Sequence, residues 1–213
     1  MFINHLAYTT SINDGKPEPR LTIPQVWAGL QRKIRAAQEF VPAIISTEVV
    51  EEKTDEKKGT PIVVREVVFK EGNRKVREEC YEYAPIKVGQ QQKPGLAVEP
   101  AICSTHTRVS EFGIMWTCCS STYVHALTID LQVDFLQPDG STITNTISEG
   151  PKGAAAGDIL MTYTFEWIHA DIDPKDTFKV SVQKKKEHEM AKMAVEKSIE
   201  SIRRMVLDGT IKA

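Results

Sequence analysis

The chain has 213 residues, 41% of them hydrophobic and 26% charged, with a formal charge of -2 at pH 7 and a pI near 6.2. That balance suits one globular domain over residues 1–213 and gives no electrostatic footprint for nucleic acid. No apolar run approaches the ~18 residues of a membrane span, and "MFINHLAYTTSIND" lacks the charged start and apolar core of a signal peptide, so a cytoplasmic protein is expected.

Residues 2 to 12 alternate as a first strand, with Phe2, Leu6 and Tyr8 on one face, until "NDGKPEP" breaks it. In "TIPQVWAGLQRKIRAAQEFVP", Thr22 and Gln25 have capping-box spacing and Pro24 falls in the first turn. Val26, Trp27, Leu30 and Ile34 recur at helical spacing, and Pro42 ends the segment. One helix or two short ones are predicted, with Arg32, Lys33 and Arg35 facing water.

From residue 43 the period changes to two. "AIISTEVVEE", "TPIVVREVVF" and "KVREECYEYA" read as strands of a meander, joined by "KTDEKKG" and "KEGN". Both faces of "VVREVV" are apolar, so either Arg65 or Glu66 points inward to meet a charge, and parity does not choose. A Gln-, Pro- and Gly-rich loop insertion around residues 86–104 follows, long enough to suggest a lid or binding loop. "THTRVSEFGIMWTCC", "YVHALTIDLQVDF" and "TITNTISE" continue the sheet, the last two joined by the turn "QPDGS".

After the connector "GPKGAAAG", "DILMTYTFEWIH" places Ile159, Met161, Tyr163, Phe165, Trp167 and His169 on one face of a last strand, with His169 near solvent at its end. Residues 173 to 207 have helical spacing, with an apolar stripe of Phe178, Val182, Met190, Met193, Ala194, Ile199, Ile202 and Val206. "KVSVQ" could extend the sheet but is read as helix. Gly209 is the expected terminator, and the run Lys184, Lys185, Lys186 is read as a solvated helix face. Strands followed by a helix imply an α+β fold with an antiparallel sheet. Cys80, Cys103, Cys118 and Cys119 lack metal-ligand or disulfide-framework spacing and are read as reduced, buried thiols, with a vicinal Cys118–Cys119 redox pair as the alternative.

The element order resembles the helix-grip fold of the SRPBCC (START, Bet v 1-like) superfamily. There about seven antiparallel strands curve around a long C-terminal helix and enclose an apolar cavity. The strings "LTIPQVWAGLQRKIRAAQEFVPAI", "REVVF", "ITNTISEGP" and "LMTYTFEWIHADI" are similar to the AtaL-like branch, formerly a domain of unknown function. The middle segment, roughly residues 86 to 120, departs from shorter members, and no ligand role is carried over to it. The resemblance implies a place in fungal secondary metabolism, as polyketide cyclase-like proteins that release and cyclise chains, for example to α-pyrones.

The site residues follow from the strand faces. In "YVHALTIDLQVDF" a histidine and a tyrosine sit on the apolar face, so His125 is the candidate base and Tyr123, or else Tyr163, the candidate donor to a developing oxyanion. Glu149 is the second candidate base, on the face that carries Ile143, Asn145 and Ile147. Tyr163, Trp167, Trp116, Asn145, Leu127, Ile147 and Met161 are the candidate ligand-binding wall. A packed core histidine is the plain alternative for His125. The expected activity is cofactor-independent cyclisation of a hydrophobic polyketide thioester, with no metal. The alternatives are a carrier of an apolar metabolite or lipid in the same cavity, or a module that binds a polyketide synthase.

Overall fold

The computed structural model describes residues 1–15, 18–84 and 131–212. Seven strands form one open antiparallel sheet: β1 (Phe2–Ser11), β2 (Ile44–Thr54), β3 (Pro61–Phe69), β4 (Lys75–Tyr83), β5 (Leu131–Leu136), β6 (Thr142–Glu149) and β7 (Ile159–His169). Their order across the sheet is β1-β7-β6-β5-β4-β3-β2. Consecutive strands β2 to β7 therefore lie side by side, and β1 closes the far edge against β7. The chain between the two edges carries α1 (Ile23–Arg35) and a 3₁₀ turn over Ala37–Glu39. The C-terminal helix is α2 (Thr177–Leu207), with "KVSVQ" inside it.

Local signals place these elements well. Thr22 caps α1: its side chain accepts from the Gln25 N–H, and the Gln25 side chain accepts from the Thr22 N–H. Asp176 caps α2 by accepting from Lys179 N–H. Gly209, at φ 76°, takes the left-handed position just beyond the helix end.

The inner face of the sheet is the one that meets the helices. Along β7 it presents Ile159, Met161, Tyr163 and Phe165, all buried, while β5 presents Leu131, Val133 and Phe135. Helix α1 lays Val26, Gly29, Leu30, Lys33 and Ile34 on the core. Gly29 is required there, because a Cβ at that position would collide with the Ile202 side chain of α2.

Three contacts fix the course of α2. Asn4 Nδ2 donates to Glu187 Oε2 at 2.6 Å, Tyr8 Oη donates to Glu196 Oε1 at 3.3 Å, and Arg203 Nη2 donates to the Ile12 carbonyl at 2.7 Å. The eight residues from Asn4 to Ile12 span about 26 Å of strand, and the sixteen from Glu187 to Arg203 span about 24 Å of helix. The lengths match, so α2 runs alongside β1 in the same direction. Its first turns then extend past the start of β1. Phe178 and Val182 are 77% and 54% exposed for that reason, and Met190 and Met193 lie on the outward side. This corrects the expected apolar stripe, of which Ile199 and Ile202 are buried and Ala194 and Val206 partly so. Lys184, Lys185 and Lys186 are exposed, as their charge implies.

The Gly29 approach gives a direct test. Gly29→Ala should lower stability by about 1–3 kcal/mol, the usual cost of overpacking, read as a lower denaturation midpoint at unchanged m. An unshifted midpoint would show that α1 and α2 can separate freely at this crossing.

Candidate functional site

Strand register assembles the site. Asn145 of β6 lies opposite Tyr163 of β7, with Val133 on its other side, and Tyr8 lies opposite Tyr163 on β1. Ile147 and Met161 form the next pair along. Side chains opposed in this way share a face, with Cβ atoms about 5 Å apart. All of Asn145, Ile147, Met161 and Tyr163 are fully buried. Among the described residues neither the amide nitrogen nor the amide oxygen of Asn145 has a hydrogen-bond partner. A buried polar group left unpaired costs about 1–3 kcal/mol, which sets this amide apart from the other buried polar side chains of the described residues.

Lys33 meets the same face from α1. The sequence reading grouped it with Arg32 and Arg35 as a solvated cation; the structure corrects this. Lys33 lies seven residues after Val26, on the same stripe as Gly29, Leu30 and Ile34, and is 6% exposed. Its Nζ donates to Tyr163 Oη at 3.1 Å, and it lies 4.2 Å from the Tyr163 ring centroid and 5.8 Å from that of Phe135. The helical spacing was the signal that could have found it; its charge and its basic neighbours hid it.

The surroundings keep this amine from being a settled ammonium. Burial, helped by the positive charge of Arg65, lowers its pKa from 10.5 to about 7, against a lesser pull from Glu78 and Cys80. Arg65 is itself fully engaged. It pairs with Glu78 at 2.7 and 2.9 Å and donates to the carbonyls of Lys33 and Ile34 at the end of α1. Arg65 is thus the inward member of its pair on β3; Glu66 points outward to Lys75. Glu82, also on the inner face, is held by Arg35 and Gln31. Among the described residues no carboxylate stands within ion-pair distance of Lys33. Burial also pushes the Tyr163 phenol above its ordinary range, with a smaller opposing influence from the Ser198 hydroxyl of α2. It stays a neutral donor. Burial raises the Cys80 thiol to about 12, which makes it an inert core residue.

The other sequence candidates divide in two groups. His125, Tyr123, Trp116 and Leu127 lie outside the described residues. Trp167 is partly buried and stacks on Phe165 with centroids 4.4 Å apart, at the margin of the site. Glu149 is exposed at the end of β6, where its carboxylate accepts from Ala154 N–H at 3.2 Å. His169, expected near solvent, is instead half-buried. Its Nε2 lies 2.6 Å from Glu187 Oε1, and its ring stacks on Phe2. Glu187 also accepts from Asn4 and Gln183, so this group ties α2 to the sheet edge. Two open surface hollows lie elsewhere. One is on the outer face of β1, β6 and β7, around His5, Thr144 and Glu166, and the other is on the outer side of α2 around Met193. Among the described residues no group of three His, Cys, Asp or Glu side chains could hold a metal ion, and no helix is long and apolar enough to cross a membrane.

The model of one protein family, acetylaranotin biosynthesis cluster protein L, matches residues 6–118 and 121–209. No curated protein matches the chain. Among solved structures it resembles Ara h 8.0201 at 11% identity and a TM-score of 0.42, covering 97% of this chain and 99% of that one. It also resembles SA2116, a Staphylococcus aureus protein of unknown function, at 9% identity and a TM-score of 0.47, covering 99% and 98%.

The lowered pKa of Lys33 has a consequence for stability. Below about pH 7 the lysine is protonated in both folded and unfolded chains, and its burial cost is felt in full. Between about 7 and 10.5 the unfolded chain holds the proton and the folded chain does not, so stability rises with pH. The rise attributable to Lys33 is up to ~1.4 kcal/mol per pH unit. Of the groups facing it, Arg65, Glu78, Cys80 and Tyr163, the thiol and the phenol are both pushed above this window's lower half. Denaturant melts of wild type and Lys33→Met at steps from about pH 7 to 9.5 should diverge, with wild type gaining relative to the variant. Parallel curves would mean that Lys33 titrates as a surface lysine does.

Proposed function

Since the chain belongs to the acetylaranotin biosynthesis cluster protein L (AtaL) family, we propose that it acts in secondary metabolism on a hydrophobic, carbonyl-bearing small molecule. The molecule binds between the inner face of the sheet and the helices, and the protein is a cofactor-independent cyclase of polyketide type. One observation supports this reading: the fully buried Asn145 amide, without a partner among the described residues, set opposite Tyr163 in the strand register and flanked by Val133, Ile147 and Met161. A mostly apolar wall with a few convergent polar groups suits a small-molecule site. The amide offers one donor and one acceptor side by side. An enolised 1,3-dicarbonyl presents the complement, an acceptor carbonyl and a donor enol hydroxyl.

The reaction is lactonisation of a β,δ-diketo thioester. An enol oxygen attacks the thioester carbonyl, a C–O bond forms, the C–S bond breaks, and the thiol leaves with the enol proton. The apolar wall folds the flexible chain so that the two ends meet, which supplies much of the acceleration. Tyr163 donates to the carbonyl oxygen as charge develops on it. His125 and Tyr123 are the base and the second donor in this proposal. Glu149, solvated at its strand end, has no part in it. Binding of the same molecule without turnover is the carrier reading.

Asn145→Leu separates function from fold. Removing two unpaired polar atoms should leave stability unchanged or raise it by about 1 kcal/mol, a Tm gain of about 2–4 °C at this chain length. Affinity for a diketo thioester surrogate, followed by tryptophan fluorescence, should fall about 10- to 100-fold, and product formation with it. Full binding and turnover by Asn145→Leu would end the proposal.

A further inference from the structure

We propose that Lys33 is a carbonyl-trapping amine: its Nζ, held against Tyr163 on the face that carries Asn145, condenses with one carbonyl of a bound 1,3-dicarbonyl to form an enaminone. The substrate class rests on the reading above; the reactivity of the amine rests on its burial and its neighbours. A buried ammonium has three protons to satisfy. Among the described residues Lys33 finds one acceptor, the Tyr163 oxygen, and no carboxylate. A lysine serving only the fold would be expected to end on a carboxylate or several carbonyls, as buried Arg65 and Arg203 do. The neutral amine, with a free lone pair, is the form this environment accommodates. Desolvation beside a second fixed cation is a recognised way to activate a lysine nucleophile, and Arg65 supplies that cation.

The step balances without any redox partner. The neutral nitrogen attacks a carbonyl carbon and a C–N bond forms. The carbonyl oxygen takes the Tyr163 proton, and the phenol recovers one from the nitrogen. Loss of water breaks the C–O bond. Loss of a proton from the carbon between the two carbonyls leaves an N–H enaminone conjugated with the remaining carbonyl, to which the Asn145 amide can donate. The sum is amine plus diketone giving enaminone plus water.

The probe is 2,4-pentanedione, added to the intact folded protein at pH 7. About half of Lys33 is neutral there, against roughly one in three thousand of an ordinary exposed lysine. The expected result is one adduct per chain, seen as near-ultraviolet enaminone absorption and as a mass gain of one diketone less one water. Peptide mapping should place it on Lys33 at a rate at least tenfold above that of exposed Lys57, half-maximal near pH 7. Lys33→Met should abolish it, and Lys33→Arg should not restore it. Label spread over exposed lysines with Lys33 unmodified overturns the inference, and needs no variant to fold. If that happens while Asn145→Leu still loses ligand, the proposed function survives and this inference alone falls. If Lys33 is labelled and Asn145→Leu binds normally, the amine stands and the function falls.

Discussion

The Arg65 guanidinium is the interaction on which the site depends. It is 4% exposed, pairs with Glu78 on the neighbouring strand, and donates hydrogen bonds to the Lys33 and Ile34 carbonyls near the end of α1. Those carbonyls would otherwise be unsatisfied at a helix end. A cation there also suits the helix dipole. By fastening the end of α1 to the sheet, Arg65 fixes the rotation of the helix and so directs Lys33 at Tyr163. The same positive charge then discourages the lysine from holding its proton. One residue sets both the position and the chemistry of its neighbour.

Among the described residues the other buried charges are paired or hydrogen-bonded. Glu78 meets Arg65 and Gln137, Glu82 meets Arg35 and Gln31, Glu187 meets Asn4, Gln183 and His169, and Arg203 meets two carbonyls. These are the satisfied networks that burial demands. Against that background the Asn145 amide and the Lys33 amine stand out, one opposite Tyr163 in the register and the other bonded to its hydroxyl. Proteins tend to leave such groups unfinished where something else completes them.

The clamps on α2 explain why one end of the helix is well packed and the other is bare. Its hydrogen bonds along β1 run from Asn4 to Ile12, just beyond the strand's end, Lys184 reaches the Phe2 ring, and the first turns of the helix run past the strand. An apolar pattern read from sequence does not know where its partner strand stops, which is why Phe178 and Val182 look like core in a list of spacings and lie in water in the fold.

What the sequence determined by itself was local. Thr22 and Gln25 announce the start of α1, the alternation of Ile159 to Phe165 announces the inner face of β7, and "QPDGS" announces the turn between β5 and β6, because each signal is complete within a few residues. The order of elements was enough for the sheet and the long terminal helix. The tertiary structure decided the rest: Arg65 rather than Glu66 turned inward, Lys33 on the buried stripe, and Asn145 brought opposite Tyr163. Periodicity states which residues share a face. Only strand register and the packing of α1 state what that face meets, and both are set by contacts between residues far apart in the chain.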